Sequence, residues 1–152
     1  MTKETAPQLH LDNQLCFPVY TLSRLITQAY QPMLKKLGLT YPQYLVMLVL
    51  WEADEQEGLP VPVRFITDRL LLDTGTVTPL LKRMEEAGLL SRRRSSADER
   101  VVEICLTEQG KVLRSQAETV PFELLCRTGV DPQRGLAMRD EMLAMIRVLQ
   151  QD

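Results

Sequence analysis

The feature that most constrains the fold is a change of hydrophobic period within one stretch of chain. Val77, Leu80, Leu81, Met84 and Ala87 recur at three- and four-residue steps, which is the spacing of one helix face. Past Gly88 the period shortens. Val102, Ile104 and Leu106 alternate with Glu103 and Cys105, as in a strand with one buried face. The two extended segments Leu89 to Ser95 and Arg100 to Leu106 are joined by Ser95-Ser96-Ala97-Asp98, which carries turn chemistry, so they predict a hairpin. Upstream, Phe65, Ile66, Leu70 and Leu71 supply the buried side of a helix that starts at about Arg64. Asp73 to Thr76 form a break, and a further helix runs from about Thr74 to Ala87 with Gly88 as its C-terminal cap.

Both flanks of this region are helical. Asp12 or Asn13 is expected to cap a helix on which Leu15, Val19, Leu22, Ile26, Ala29 and Met33 form the apolar stripe. Pro32 predicts a kink or break in it, and Gly38 ends it. Thr40 caps a second helix with Pro42 in its first turn and Tyr44, Leu45, Leu48 and Trp51 on its apolar face. Glu52 to Pro62 mixes acids with glycine and prolines and reads as a loop, with at most a short edge strand around Val61. After the hairpin, Thr107 caps a long helix with Glu108 in its first turn, and a last helix runs from about Asp131 to Gln150. The expected fold class is α+β and mostly helical, a winged helix-turn-helix at 61–106 with helical regions at 12–53 and 107–150, all one domain over 1–152.

Composition excludes several classes. At 152 residues, 45% hydrophobic and 25% charged, the chain has ordinary globular composition for one core. No apolar run approaches the ~20 residues of a membrane helix, and no export signal is legible, so a soluble protein is expected. Three cysteines at wide, irregular spacing fit neither a disulfide scaffold nor a zinc site, and one histidine leaves no basis for a His-based metal or acid-base centre. No cofactor, metal or catalytic residue is expected.

A net charge of −2 argues mildly against nucleic acid as a partner, but phosphate contact requires a basic face rather than a basic average. Lys82, Arg83, Arg92, Arg93, Arg94 and Arg100 cluster within the predicted second helix and hairpin. Two short helices joined by a tight break present the second to a major groove. Small residues at its start, Gly75, Thr76 and Thr78, followed by Pro79, allow close approach to base edges and thymine methyls, while Lys82 and Arg83 suit phosphate or guanine. Arg100, near the hairpin tip, has the reach of a minor-groove arginine, with Asp98 two residues earlier to orient it. A second feature lies far from these residues. Cys16 falls near the predicted start of the first helix, where the dipole and free N–H groups favour the thiolate through which oxidation proceeds.

The segments DTGTVTPLLKRMEEAGLL, RRRSSADER and LTEQG resemble the winged helix of MarR-family transcriptional regulators, and the similarity covers nearly the whole chain. LDNQLCFPVY and LTYPQYLVMLVLWE resemble the organic-hydroperoxide-sensing, OhrR-type branch. The resemblance implies a cytoplasmic, non-enzymatic homodimer built by its first and last helices, bound to a pseudo-palindromic double-stranded operator and released by organic hydroperoxide. It nominates Cys16 as the peroxide-reacting sulfur, Tyr30 and Tyr41 as hydroxyls that support its thiolate, and Cys126 as the resolving thiol, because some relatives use a cysteine in the helix after the wing. Two other readings stand beside it: a MarR-type regulator of a small ligand with Cys16 incidental, and a thiol peroxidase that would leave the helix-turn-helix and wing unexplained.

Overall fold

The computed structural model describes residues 6–151. Two 3₁₀ turns, Pro7–Leu9 and Leu11–Asn13, precede α1 (Cys16–Lys36) and α2 (Tyr41–Glu55). A two-residue strand β1 (Val61–Pro62) leads into α3 (Val63–Leu70) and α4 (Thr74–Glu86). The hairpin β2 (Leu90–Arg94) and β3 (Val102–Leu106) follows, and α5 (Glu108–Ala117), α6 (Val120–Thr128) and α7 (Pro132–Leu149) complete the chain. The expected fold class and most of the order of elements are thus present, with four departures.

First, neither Asp12 nor Asn13 caps α1. Leu15 occupies the cap position without a side-chain bond, and the Asn13 amide donates instead to the Pro7 carbonyl at 2.8 Å, tying the two 3₁₀ turns together. Second, Pro32 does not break α1, which continues to Lys36 before Gly38 closes it at φ +70°. Third, the long helix expected after Thr107 is two helices. Pro121 lacks the N–H that would bond one turn back, and it suits the first turn of α6, so the chain restarts there. The loop expected from Glu52 is also shorter, because α2 runs on to Glu55.

Other caps follow local chemistry. Thr40 and Gln43 form a reciprocal capping box on α2, the Gln43 side chain accepting from the Thr40 N–H at 2.9 Å. Thr107 accepts from the Gly110 N–H, and Asp131 from the N–H groups of Gln133 and Arg134.

The sheet order is β1-β3-β2, both pairings antiparallel, with Ile104 of the central strand facing Val61 on one side and Arg92 on the other. Ile104 is fully buried in one core with Ile66, Val77, Leu81 and Met84, so the face predicted for α4 packs towards the sheet, although Ala87 beyond its end is exposed. On α3 only Ile66 meets the expectation fully. Phe65 and Leu71 are exposed, and Leu71 sits at φ 54° where the chain turns out of the helix.

The root of the wing is fastened to the helices at Gly110. Its carbonyl accepts from Trp51 Nε1–H at 2.9 Å, and its Cα lies so close to the Leu89 carbonyl that a Cβ there would collide with that oxygen. Among the described residues, no helix is long and apolar enough to cross a membrane. Gly110→Ala is expected to lower stability by about 3 kcal/mol, since backbone rather than a flexible side chain would have to yield. Urea unfolding of the two proteins measures it, and a cost below about 1 kcal/mol would refute the close approach.

Candidate nucleic-acid interface and thiol site

The tight turn between α3 and α4 is built by Asp73. Its carboxylate accepts from the Thr76 N–H and the Thr76 hydroxyl, both at 2.8 Å, and the hydroxyl bond is the larger cause of a carboxyl pKa below the ordinary range. This cap leaves Gly75, Thr76, Thr78, Pro79, Lys82 and Arg83 exposed along one side of α4 while Val77, Leu80, Leu81 and Met84 are buried on the other. Among the described residues, no carboxylate lies within ion-pair distance of Lys82 or Arg83, so their charges face outward.

A groove of about 720 Å³ runs from this face to the wing, between Arg64 and Thr67 of α3, Thr74 and Thr78 of α4, and Arg92 and Arg100. The hairpin tip is closed by Ser95 N–H donating to the Val101 carbonyl at 2.8 Å. Beyond it Asp98 accepts from both the N–H (3.0 Å) and Nε (3.2 Å) of Arg100, an orientation the two-residue spacing predicts. The Arg100 side chain remains 92% exposed.

The run Arg92-Arg93-Arg94 behaves differently from the even basic patch its sequence suggests. Arg92 is paired with Glu85 of α4, Arg93 lies 3.6 Å from Glu103 across the hairpin, and Arg94 donates to the Glu99 carbonyl at 2.7 Å. Glu85 was not legible as a functional residue in the sequence. It sits seven positions before Arg92, and only the reversal of the chain at Gly88 (φ +76°) brings them together.

Cys16 is the first residue of α1 and is exposed. Tyr30 and Tyr41 lie elsewhere, in contact with ring centroids 5.2 Å apart at an apolar cavity of about 720 Å³ between α1, α6 and α7. Burial, reinforced by Tyr44 and Tyr41, pushes the Tyr30 hydroxyl up to about 12, and burial raises Tyr41 as well, so both are proton donors at neutral pH. Cys16 and Tyr30 share one continuous helix. At ~1.5 Å per residue they are about 21 Å apart along it, so one chain does not bring them together. Cys126 is exposed near the end of α6, and its neighbour Arg127 donates to the Ala29 carbonyl, again near the far end of α1 from Cys16. All three cysteines are free, and Cys105 is half-buried in β3.

The fold and its exposed basic face define a winged-helix protein of the DNA-binding type. A family model described as transcriptional regulator SarA/Rot matches residues 28–116. An organic hydroperoxide resistance transcriptional regulator of Bacillus subtilis (strain 168) is 43% identical over 93% of this chain and 91% of its own. The solved structure of reduced AbfR bound to DNA is similar at 36% identity and TM-score 0.71, over 94% of this chain and 97% of that one. AbfR, from Staphylococcus epidermidis, has also been solved with its disulfide formed, and this chain resembles that state at TM-score 0.61 and 38% identity, over 92% and 95%. The chain belongs to the MarR family of winged-helix transcriptional regulators, in its organic-hydroperoxide-resistance, OhrR-type branch.

The Asp73 cap has a pH signature. A carboxylate whose folded-state pKa is depressed contributes stability that is present above its unfolded pKa and lost as pH falls through the folded value. Asp73→Ala is therefore expected to unfold at lower temperature than the parent at neutral pH, the gap narrowing as pH falls below the carboxylate range. A gap independent of pH in thermal scans would exclude the charged cap as its cause.

Proposed function

We propose that this chain is a transcriptional repressor that acts as a homodimer on a pseudo-palindromic operator and releases it when organic hydroperoxide oxidises Cys16. The observation that carries the reading is the exposed thiol at the first turn of α1, set beside apolar surface that a second copy would cover. Leu15, Phe17 and Val19 at the start of α1 and Leu143, Ile146 and Leu149 on α7 are all exposed, and α7 buries no residue at all within the monomer. Faces of this size on two helices are typical of an interface between subunits.

In that dimer each α4 enters a major groove, the pair spaced about one helical turn of DNA apart, and each Arg100 reaches into an adjacent minor groove. Gly75, Thr76, Thr78 and Pro79 meet base edges, and Lys82 and Arg83 the phosphates. Because Tyr30 is about 21 Å from Cys16 along α1, the tyrosines that support a given thiolate belong to the partner subunit. Burial keeps both hydroxyls protonated, so each has a proton to donate to sulfur.

The chemistry balances without a cofactor. The Cys16 thiolate attacks the terminal peroxide oxygen, the O–O bond breaks, a sulfenic acid forms, and the alkoxide leaves and takes up the proton the thiol released. The Cys126 thiol of the partner subunit then attacks that sulfur, forming a disulfide and expelling water. Intersubunit pairing accords with the separation of the two cysteines along one chain. The resulting crosslink acts by favouring a spacing of the two heads that misses the operator grooves.

The cavity beside Tyr30 and Tyr41 favours a second reading, in which a small aromatic or aliphatic ligand triggers release and Cys16 is incidental. The serine variant separates the two. Cys16→Ser is expected to bind operator like the parent but to keep its affinity in cumene hydroperoxide, where the parent loses about a hundredfold, a coupling of roughly 2.7 kcal/mol. Equal release of both proteins in a gel-shift titration would end the sensing claim. Cys126→Ser is expected to abolish the covalent dimer seen on non-reducing gels after peroxide, and a persisting covalent dimer would exclude Cys126 as its partner.

A further inference from the structure

We propose that Glu85 is a specificity-determining positioning residue of the DNA face: it holds Arg92 so as to fix the wing against α4, and thereby neutralises that arginine at the groove it lines. The inference rests on the DNA-binding reading above. Glu85 lies in the last turn of α4, next to the negative end of the helix dipole, where a carboxylate is intrinsically disfavoured. Its two oxygens are both engaged by one residue. Oε1 accepts the Arg92 N–H and Oε2 accepts Arg92 Nε, each at 2.8 Å. β2 is an edge strand, so the Arg92 N–H that points away from β3 would otherwise have no partner in the sheet.

The consequence is a rigid two-point contact between the element that enters the major groove and the first strand of the wing. Hydrogen bonds to the ionised form are what hold the Glu85 carboxyl below its ordinary range, and the side chains of the pair are only 34% and 27% exposed. Arg100, by contrast, is at the solvent-facing end of the wing, and its reach into a groove depends on the angle this contact sets. With one bond on each oxygen, the Glu85 carboxylate is held in place by Arg92.

An arginine released beside the DNA face would add a phosphate contact to any duplex, whatever its sequence, while the loosened wing would register Arg100 less well. Discrimination would fall from both causes. The pair is therefore built for selectivity rather than for affinity.

The test compares the duplex that the wild-type protein selects from a random-sequence library with a scrambled duplex of the same length and composition, across a salt series. Glu85→Gln is expected to lose about tenfold on the selected duplex and to hold or gain on the scrambled one. Its log affinity should also fall more steeply with log salt, by about one unit of slope for the freed arginine. Arg92→Gln, which loosens the wing without freeing a charge, is expected to lose less selectivity with the slope unchanged, and the double variant to behave like Arg92→Gln alone. Parallel losses on both duplexes, or an unchanged ratio, would overturn the proposal. So would a slope shallower by about one in Arg92→Gln, which would make Arg92 a phosphate contact. Failure of the wild-type protein to select any duplex is a distinct result that removes the DNA-binding reading itself.

Discussion

Everything in the head depends on how closely α5 approaches the root of the wing. Gly110 lets the α5 backbone press on Leu89, and the Trp51 indole locks the same residue from the α2 side. Four elements meet at that point: α2, the exit of α4, the hairpin and α5. The surrounding ion pairs reinforce it. The last turn of α2 carries Glu52, Asp54 and Glu55, which pair respectively with Arg69 of α3 and with Lys111 and Arg114 of α5. α5 is thereby joined to α3 and α4 through packed backbone and ion pairs, not through a flexible tether, the kind of coupling that the proposed remote trigger would require.

Electrostatics in this protein are a matter of placement. A net charge of −2 conceals a face on which Lys82, Arg83 and Arg100 project outward, while the acids are consumed in holding other arginines in place. Arg92, Arg93 and Arg94 look equivalent in the sequence. In the fold each is turned to a different internal partner, because alternate residues of a strand face opposite sides and the turn at Gly88 folds β2 back along α4.

The thiol chemistry has a different requirement. Cys16, Tyr30 and Tyr41 have the right functional groups for a peroxide-reactive centre, yet α1 is a continuous rod that keeps the sulfur and the hydroxyls apart. Unburied leucines and methionines along α1 and α7 are the surface on which the proposed dimer would form, and in that proposal only a partner's tyrosines could meet each sulfur.

The period change between α4 and β3, the glycines that end helices at positive φ, and the Thr40 and Thr107 caps are local properties, and short-range sterics with backbone hydrogen bonding make them legible in the sequence alone. The Asp98–Arg100 contact is legible for the same reason, since two residues of separation leave little freedom. What depends on long-range packing belongs to the fold. Pro32 rides inside α1, Asn13 turns back to Pro7 rather than forward, and Phe65 and Leu71 stay in solvent because α3 is too short to bury both its flanks. Tertiary structure alone paired Glu85 with Arg92 and brought Tyr30 against Tyr41. Sequence patterns report which face of an element is apolar, but which elements meet that face, and at what distance, is fixed only when the whole chain has packed.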